Sequence, residues 1–139
     1  MSFITLFIMA QFMNCCLYGG TTVEAVPKVE YPELQTYFRC VEAEEGGNSY
    51  ECKYMAASVI VNRSREWGIT IDEVIYQPYQ FAVVRTGSID KVQVSEETIK
   101  ACLDALEAPA DRVMFFSMGN KHSAWAKVVK VIDGEYFYE

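Results

Sequence analysis

The sequence predicts an α+β domain that is mainly helical and carries a small β-hairpin element at its C-terminal end. Two observations lead to this prediction. Apolar residues repeat at helical spacing as far as Pro109, and short strand-like segments joined by turn residues follow it. The chain has 139 residues, of which 51% are hydrophobic, so it is long enough for one packed domain.

Composition excludes some classes of partner. The formal net charge of −7 disfavours a nucleic-acid partner, because phosphate binding needs clustered lysine and arginine side chains. A neutral polymer such as a glycan stays compatible with this charge. His122 is the single histidine, so a metal site built from several His and Cys ligands is hard to assemble, and we expect neither a metal nor a cofactor.

The first 25 residues have the pattern of an export signal. An apolar run over residues 3–18 suits the core of a signal peptide and is short for a membrane span. Val23 and Ala25 supply small residues at the −3 and −1 positions of a cleavage site. We therefore expect a signal peptide at 1–25, a linker at 26–32 and one domain at 33–139. A retained membrane anchor and a buried terminal helix stay open as alternatives.

Capping residues predict the first two helices. Pro32 suits the first helical position, and Gly46-Gly47 permit the positive φ that ends many helices. Asn48 or Ser49 can cap a second helix, which is predicted to continue to about Trp67. Its apolar residues repeat every 3.6 positions, and a run of small residues allows close packing.

The second half of the chain contains two more capped helices and the β element. Thr70 opens a short helix with a capping box, and Ser95 caps a longer helix that Pro109 ends. Between them, "QPYQFA" is an aromatic loop and "VVRTGSIDKVQ" is an irregular connection. The segments "RVMFFSM" and "KVVKVI" read as strands, and Asp133-Gly134 predicts a tight hairpin into "EYFYE".

Three cysteines remain after the export signal, namely Cys40, Cys52 and Cys102. One disulfide with a free thiol and three buried thiols are both compatible with this odd number. A nucleophilic pair of one of these cysteines with His122 has no recognisable motif.

Three glutamates, Glu42, Glu44 and Glu45, crowd the predicted end of the first helix. Most surface glutamates are solvated, so a plain role is the default for each of them. The negative end of the helix dipole would raise a carboxyl pKa there, in the direction that a general acid needs. Glycosidic cleavage uses such an acid, and a substrate with an N-acetyl group needs no second carboxylate.

The stretch "EEGGNSYECKYMAASVIVNR", followed by "IDEVIYQPYQFA", closely resembles the cell wall hydrolase family of spore-cortex-lytic (SleB-type) enzymes. The segment "VMFF", Trp125 and "GEYFY" match the end of the family pattern, so the resemblance covers about residues 33–139. It implies a lysozyme-like fold that cuts peptidoglycan between N-acetylmuramic acid and N-acetylglucosamine.

The resemblance also implies which residue is the general acid. Counting back from Asn62 without a gap places the acid of the family at Glu44, whereas a short insertion in the glycine turn would place it at Glu42. Two positions depart from the pattern. Asn48 replaces a frequent second glutamate, and Glu135 replaces a histidine.

Four residues are expected to contact the glycan. Gln80 and Phe81 can line the cleft by amide hydrogen bonding and ring stacking, or can form a packed aromatic loop. Trp125 can serve as a sugar platform or as part of the hairpin core, and Tyr138 belongs to the strand that ends the family pattern.

We thus expect a secreted or wall-associated monomer that acts on peptidoglycan glycan strands as a lytic transglycosylase, with membrane contact only through an uncleaved N-terminal segment. Two alternatives stay open. One is a wall-binding module that kept the fold and lost the chemistry, and the other is a muramidase that hydrolyses the bond with water.

Overall fold

The computed structural model describes residues 30–139. The predicted signal peptide at 1–25 and most of the linker at 26–32 lie outside this range, so both stay predictions. Within residues 30–139, no helix has the length and apolar character needed to cross a membrane.

Five α-helices form the body of the described domain. Their bounds are Gln35–Glu45 (α1), Tyr50–Trp67 (α2), Ile71–Tyr76 (α3), Ala82–Thr86 (α4) and Glu96–Glu107 (α5). Short 3-10 helices lie at Pro32–Leu34 and Ser88–Asp90. The predicted class, α+β and mainly α, is confirmed.

The helix starts follow the local capping chemistry that the sequence predicts. The hydroxyl of Ser49 accepts a hydrogen bond from the backbone N–H of Cys52, and that of Ser95 accepts one from Thr98. Thr70 and Glu73 form the predicted capping box at the start of α3. Because each cap satisfies a backbone N–H that lacks a partner within the helix, these boundaries are set by residues close in sequence.

The central helix is α2, which is buried on two sides. On one side Ala57 and Ile60 pack into a cluster with α1, α3 and α5. On the other side Met55 and Val59 pack against Val113 and the sheet. Small side chains along α2 let its neighbours approach closely, and a helix buried on both sides fixes the positions of the elements around it.

Three antiparallel strands form the C-terminal sheet: Phe115–Met118 (β1), Val128–Ile132 (β2) and Glu135–Tyr138 (β3). The strand order is β1-β3-β2, so β3 lies in the middle and pairs with both neighbours. The predicted Asp133-Gly134 hairpin joins β2 to β3 with positive φ at both turn residues. The central position of β3 holds its first residue, Glu135, at the edge of the helical body.

Two predictions of local structure are wrong. The connection after Phe81 is not irregular, because it forms α4 and the second 3-10 helix. The glycine turn after α1 does not use positive φ, since Gly46 has φ −55°. Gly46 is needed for space instead, because a Cβ atom there would lie 2.5 Å from the carbonyl oxygen of Glu42.

Candidate active site

The last turn of α1 carries three glutamates with three different environments. Glu42 turns toward the start of α5, Glu45 is fully buried, and Glu44 is half-buried. The hydrogen-bond partners of Glu42 and Glu44 come from elements distant in sequence, whereas those of Glu45 follow it within seven residues. These partners decide which of the three can exchange a proton with a substrate.

Glu42 is an ionised structural residue. Its Oε2 accepts hydrogen bonds from the backbone N–H of Ser95 at 3.2 Å and from the hydroxyl groups of Ser95 and Thr98. Burial alone would raise the pKa of Glu42, but these hydrogen bonds outweigh it and lower the pKa below its usual value. A carboxylate held in this way is a poor proton donor.

Glu45 is a buried carboxyl with strong proton affinity. It is 1% exposed, and its Oε2 accepts hydrogen bonds from Nδ2 of Asn48 at 2.6 Å and from the thiol of Cys52 at 3.2 Å. Burial raises its pKa to about 7, against the effect of these two hydrogen bonds and with help from the nearby charges of Glu135 and Glu44. Glu45 holds its proton more tightly than an ordinary glutamate, but it does not reach the surface.

Glu44 combines proton affinity with access. Burial raises its pKa, and the charge of Glu135 adds to the shift, while a long hydrogen bond of 3.5 Å from the backbone N–H of Val83 opposes it. Part of the side chain stays open to solvent. Of the three glutamates in this turn, Glu44 alone is both reachable and biased toward its protonated form.

Glu135 completes the acidic cluster. This residue begins β3 and is 7% exposed, and burial raises its pKa while the charge of Lys121 opposes the rise. Its position follows from the hairpin, because Oδ2 of Asp133 accepts a hydrogen bond from the backbone N–H of Ser49 at 2.9 Å. The two positions that depart from the family pattern, Asn48 and Glu135, thus both lie around Glu45.

The aromatic loop after α3 is anchored by a buried aromatic ring. Phe81 is 4% exposed, and the centre of its ring lies 6.3 Å from that of Phe116. Because this ring is buried, it cannot stack on a sugar. The expected stacking is therefore corrected: Phe81 supports the loop from the interior. Gln80 lies on the surface, where its Oε1 accepts a hydrogen bond from Arg63 at 3.1 Å. Its contact with substrate stays a prediction.

Arg63 is the residue of this region whose role sequence reasoning missed. It is 5% exposed, its Nε donates to the carbonyl oxygen of Met114 at 2.7 Å, and its guanidinium lies 5.1 Å from the ring centre of Phe115. In the described part of the chain it has no carboxylate partner within salt-bridge distance. Burial lowers its pKa to about 10.

The loop between β1 and β2 exposes Trp125, one of the predicted sugar-contact residues, and covers Tyr138, a second one, which lies on β3. Trp125 is 62% exposed, with its ring edge-on to Phe115 at 5.1 Å. Tyr138 is fully buried, and its hydroxyl accepts hydrogen bonds from the backbone N–H groups of Lys121 and His122 at 3.1 and 3.4 Å. Tyr138 therefore shapes this loop in the structure, and its expected direct contact with sugar is corrected.

Other chemistries find no support in the described residues. Cys40, Cys52 and Cys102 are all free and buried, and burial raises the pKa of each thiol, which disfavours a thiolate nucleophile. Between residues 30 and 139, no group of His, Cys, Asp and Glu side chains is arranged to hold a metal ion. An open depression lined by Tyr50, Glu96, Glu97 and Lys100 contains none of the predicted site residues.

Comparison with known proteins identifies a family that covers most of the described domain. A family of sequences described as Cell Wall Hydrolase matches residues 47–138. The match begins after α1, so the choice among its glutamates depends on their contacts in the structure. No individual curated protein matches the chain.

Two solved structures resemble the chain in fold. The catalytic domain of the germination-specific lytic transglycosylase SleB from Bacillus anthracis superposes with a TM-score of 0.68 at 24% identity, covering 83% of this chain and 100% of that domain. The catalytic domain of the Bacillus cereus SleB protein gives a TM-score of 0.64 at 24% identity, covering 86% and 100%.

Proposed function

The chain belongs to the cell wall hydrolase family, and from this premise we propose that it cleaves the glycan strands of peptidoglycan as a lytic transglycosylase, with Glu44 as its single general acid and base. The bond cut is the one between N-acetylmuramic acid and N-acetylglucosamine, and the protein acts outside the cell, on the wall. The name of the Bacillus anthracis domain, a lytic transglycosylase, supports the type of product.

The observation that supports Glu44 is its combination of a raised pKa and partial exposure. A protonated carboxyl at this position can give its proton to the glycosidic oxygen as the bond to the anomeric carbon breaks. The N-acetyl carbonyl of the substrate stabilises the cationic centre that forms, and the 6-hydroxyl of the same sugar then attacks it. Glu44 recovers a proton from that hydroxyl, so the enzyme returns to its starting state.

The helix provides the residues for a matched test. Glu44→Gln and Glu42→Gln make the same chemical change two positions apart on α1. We expect Glu44→Gln to slow the release of soluble fragments from purified peptidoglycan by at least about 100-fold, because it removes the general acid, without lowering the thermal midpoint. Glu42→Gln should lower the midpoint but keep the activity of each folded molecule.

Product masses decide the reaction type. Transglycosylation gives anhydro-muropeptides, which are lighter by one water than the reducing products of hydrolysis. Full activity in Glu44→Gln would reject that residue as the acid. Binding to insoluble peptidoglycan with no soluble product from the wild-type protein would instead indicate a wall-binding module.

Hydrolysis is the second candidate, because Glu135 places another carboxyl near Glu44. Many glycosidases use two carboxyl groups, and one of them can activate a water molecule. Reducing ends as the main product of the wild-type protein would favour this mechanism over transglycosylation.

A further inference from the structure

The carboxyl group of Glu135 is buried without a full set of hydrogen bonds. The residue is 7% exposed, and within residues 30–139 no atom donates a hydrogen bond to its buried Oε2. Buried polar atoms almost always have a partner, because leaving one unpaired costs folding free energy. Such an atom calls for an explanation outside the fold itself.

The surroundings of Glu135 make this burial less favourable still. Its charge acts on Glu44 and Glu45, which are groups of the same sign, and Lys121 is the cation whose charge opposes the rise of its own pKa. A hydrophobic side chain at the start of β3 would avoid both the repulsion and the unpaired oxygen. The unpaired oxygen and the like charges therefore give no stabilising reason for a carboxyl group at this position.

The location of Glu135 suggests what its free oxygen can bind. Two contacts bring the β2–β3 turn against the loop that follows Glu44 and Glu45, namely the bond between Ser49 and Asp133 and the approach of the Cys52 thiol to the carbonyl oxygen of Ile132 at 4.0 Å. A substrate group that reaches the proton of Glu44 therefore comes close to Glu135. A carboxylate oxygen accepts hydrogen bonds, so the complementary group is a hydrogen-bond donor, such as a sugar hydroxyl.

We propose that Glu135 is a second functional residue of the site, whose Oε2 accepts a hydrogen bond from the sugar hydroxyl that attacks the anomeric carbon. This inference rests on the proposed function. The bond to the leaving oxygen breaks as that oxygen takes the proton of Glu44. The attacking 6-hydroxyl oxygen forms the new bond to the anomeric carbon, and its proton passes to Glu44, while Glu135 orients the hydroxyl and exchanges no net proton.

Stability and activity should respond in opposite directions to removal of this group. We expect Glu135→Leu to release soluble muropeptides at least tenfold more slowly than the wild type, with a thermal midpoint that is equal or higher. Glu135→Gln keeps one oxygen that can accept a hydrogen bond, so its rate should lie between the two. Glu139→Gln is the matched control, because Glu139 follows β3 directly and pairs with Lys127 on the surface, and it should keep the wild-type rate.

The anhydro fraction of the product gives a readout that a merely structural role would not change. Without Glu135 to orient the sugar hydroxyl, water competes better, so the remaining product of Glu135→Leu should contain more reducing ends. A lowered thermal midpoint with an unchanged product ratio would overturn the inference in favour of a structural role. A rate within twofold of the wild type would overturn it as well.

Failure of the proposed function can be distinguished from failure of this inference. If the wild-type protein releases no soluble fragments, the proposed function fails, and sedimentation with insoluble peptidoglycan then decides the role of Glu135. A smaller bound fraction for Glu135→Leu than for Glu139→Gln would support a ligand contact. Equal bound fractions for the two variants would overturn a ligand contact by Glu135.

Discussion

Oε2 of Glu42 accepts two hydrogen bonds from Ser95, one from the backbone N–H at 3.2 Å and one from the hydroxyl at 3.0 Å. The two residues are 53 positions apart, so this contact fastens the end of α1 to the start of α5. It also places a negative charge at the N-terminus of α5, where the helix dipole favours one. A glutamate that the sequence offers as a candidate acid is thus part of a helix cap.

Replacing Glu42 should therefore affect stability rather than catalysis. Glu42→Gln removes the charge and weakens three hydrogen bonds, so we expect the free energy of unfolding to fall by about 1–3 kcal/mol. Chemical denaturation measures this change directly. An unchanged denaturation midpoint would contradict the capping role, and lost activity in a fully folded variant would return Glu42 to the list of candidate acids.

The contrast among the glutamates shows where prediction from sequence ends. Helix boundaries at Ser49 and Ser95 could be predicted, because a cap depends on residues within one helical turn. The fates of Glu42, Glu44 and Glu45 could not be predicted, because their partners lie as far away as Ser95, Val83 and Glu135. Local pattern fixes the elements, whereas the proton affinity of each carboxyl depends on tertiary contacts.

The same limit applies to the aromatic residues. The sequence shows that Phe81 and Tyr138 belong to motifs, but burial decides whether a ring can face a sugar. Both rings belong to the packed interior, whereas Trp125 stays exposed. The spacing of Tyr136 and Tyr138 along a strand puts both side chains on one face, and their rings stack at 6.4 Å. It could not show that β3 would become the central strand, with both of its edges paired.

The glycine turn after α1 should tolerate a methyl group at one position only. In Gly46→Ala the added Cβ would lie 2.5 Å from the carbonyl oxygen of Glu42 and 2.7 Å from its Oε1, so the turn or the cap of α5 must shift. We expect a loss of roughly 1–3 kcal/mol in unfolding free energy. Gly47→Ala is the control, since a Cβ there meets nothing within 4 Å, and it should stay within about 0.5 kcal/mol of the wild type. Equal effects of the two substitutions would disprove the steric argument.

Arg63 should not be replaceable by lysine. Its guanidinium donates to Met114 and Gln80 and lies over the ring of Phe115, which a single ammonium group cannot reproduce. We expect Arg63→Lys to lower the free energy of unfolding by about 2–3 kcal/mol. Arg65→Lys, in the same helix, serves as the control, because Arg65 makes one exposed hydrogen bond, to the carbonyl oxygen of Leu106. Thermal midpoints of the two variants test the difference, and similar values would show that the buried guanidinium is dispensable.

Stability should depend on pH through Glu45. Burial raises its pKa from 4.5 to about 7 in the folded state, so the folded protein holds this proton more tightly than the unfolded chain. The free energy of unfolding should therefore fall as the pH rises from about 4.5 to about 7, by roughly 1–3 kcal/mol. Glu45→Gln keeps an oxygen for Asn48 and cannot ionise, so it should remove most of this decline.

Glu42 should give the opposite dependence of stability on pH, because its pKa is lowered rather than raised. Its folded pKa is lowered by the hydrogen bonds from Thr98 and Ser95, so its stabilisation is present above the ordinary value of 4.5 and is lost as the pH falls through the lowered value. Between pH 3 and 8, the loss of unfolding free energy on the acid side should thus be smaller in Glu42→Gln, and the loss toward neutral pH should be smaller in Glu45→Gln. If the free energy of unfolding still declines between pH 5 and 7 in Glu45→Gln, that decline comes from the other carboxyls whose pKa is raised, Glu44 and Glu135. Measuring Glu44→Gln and Glu135→Gln over the same range would then identify which of the two holds the proton.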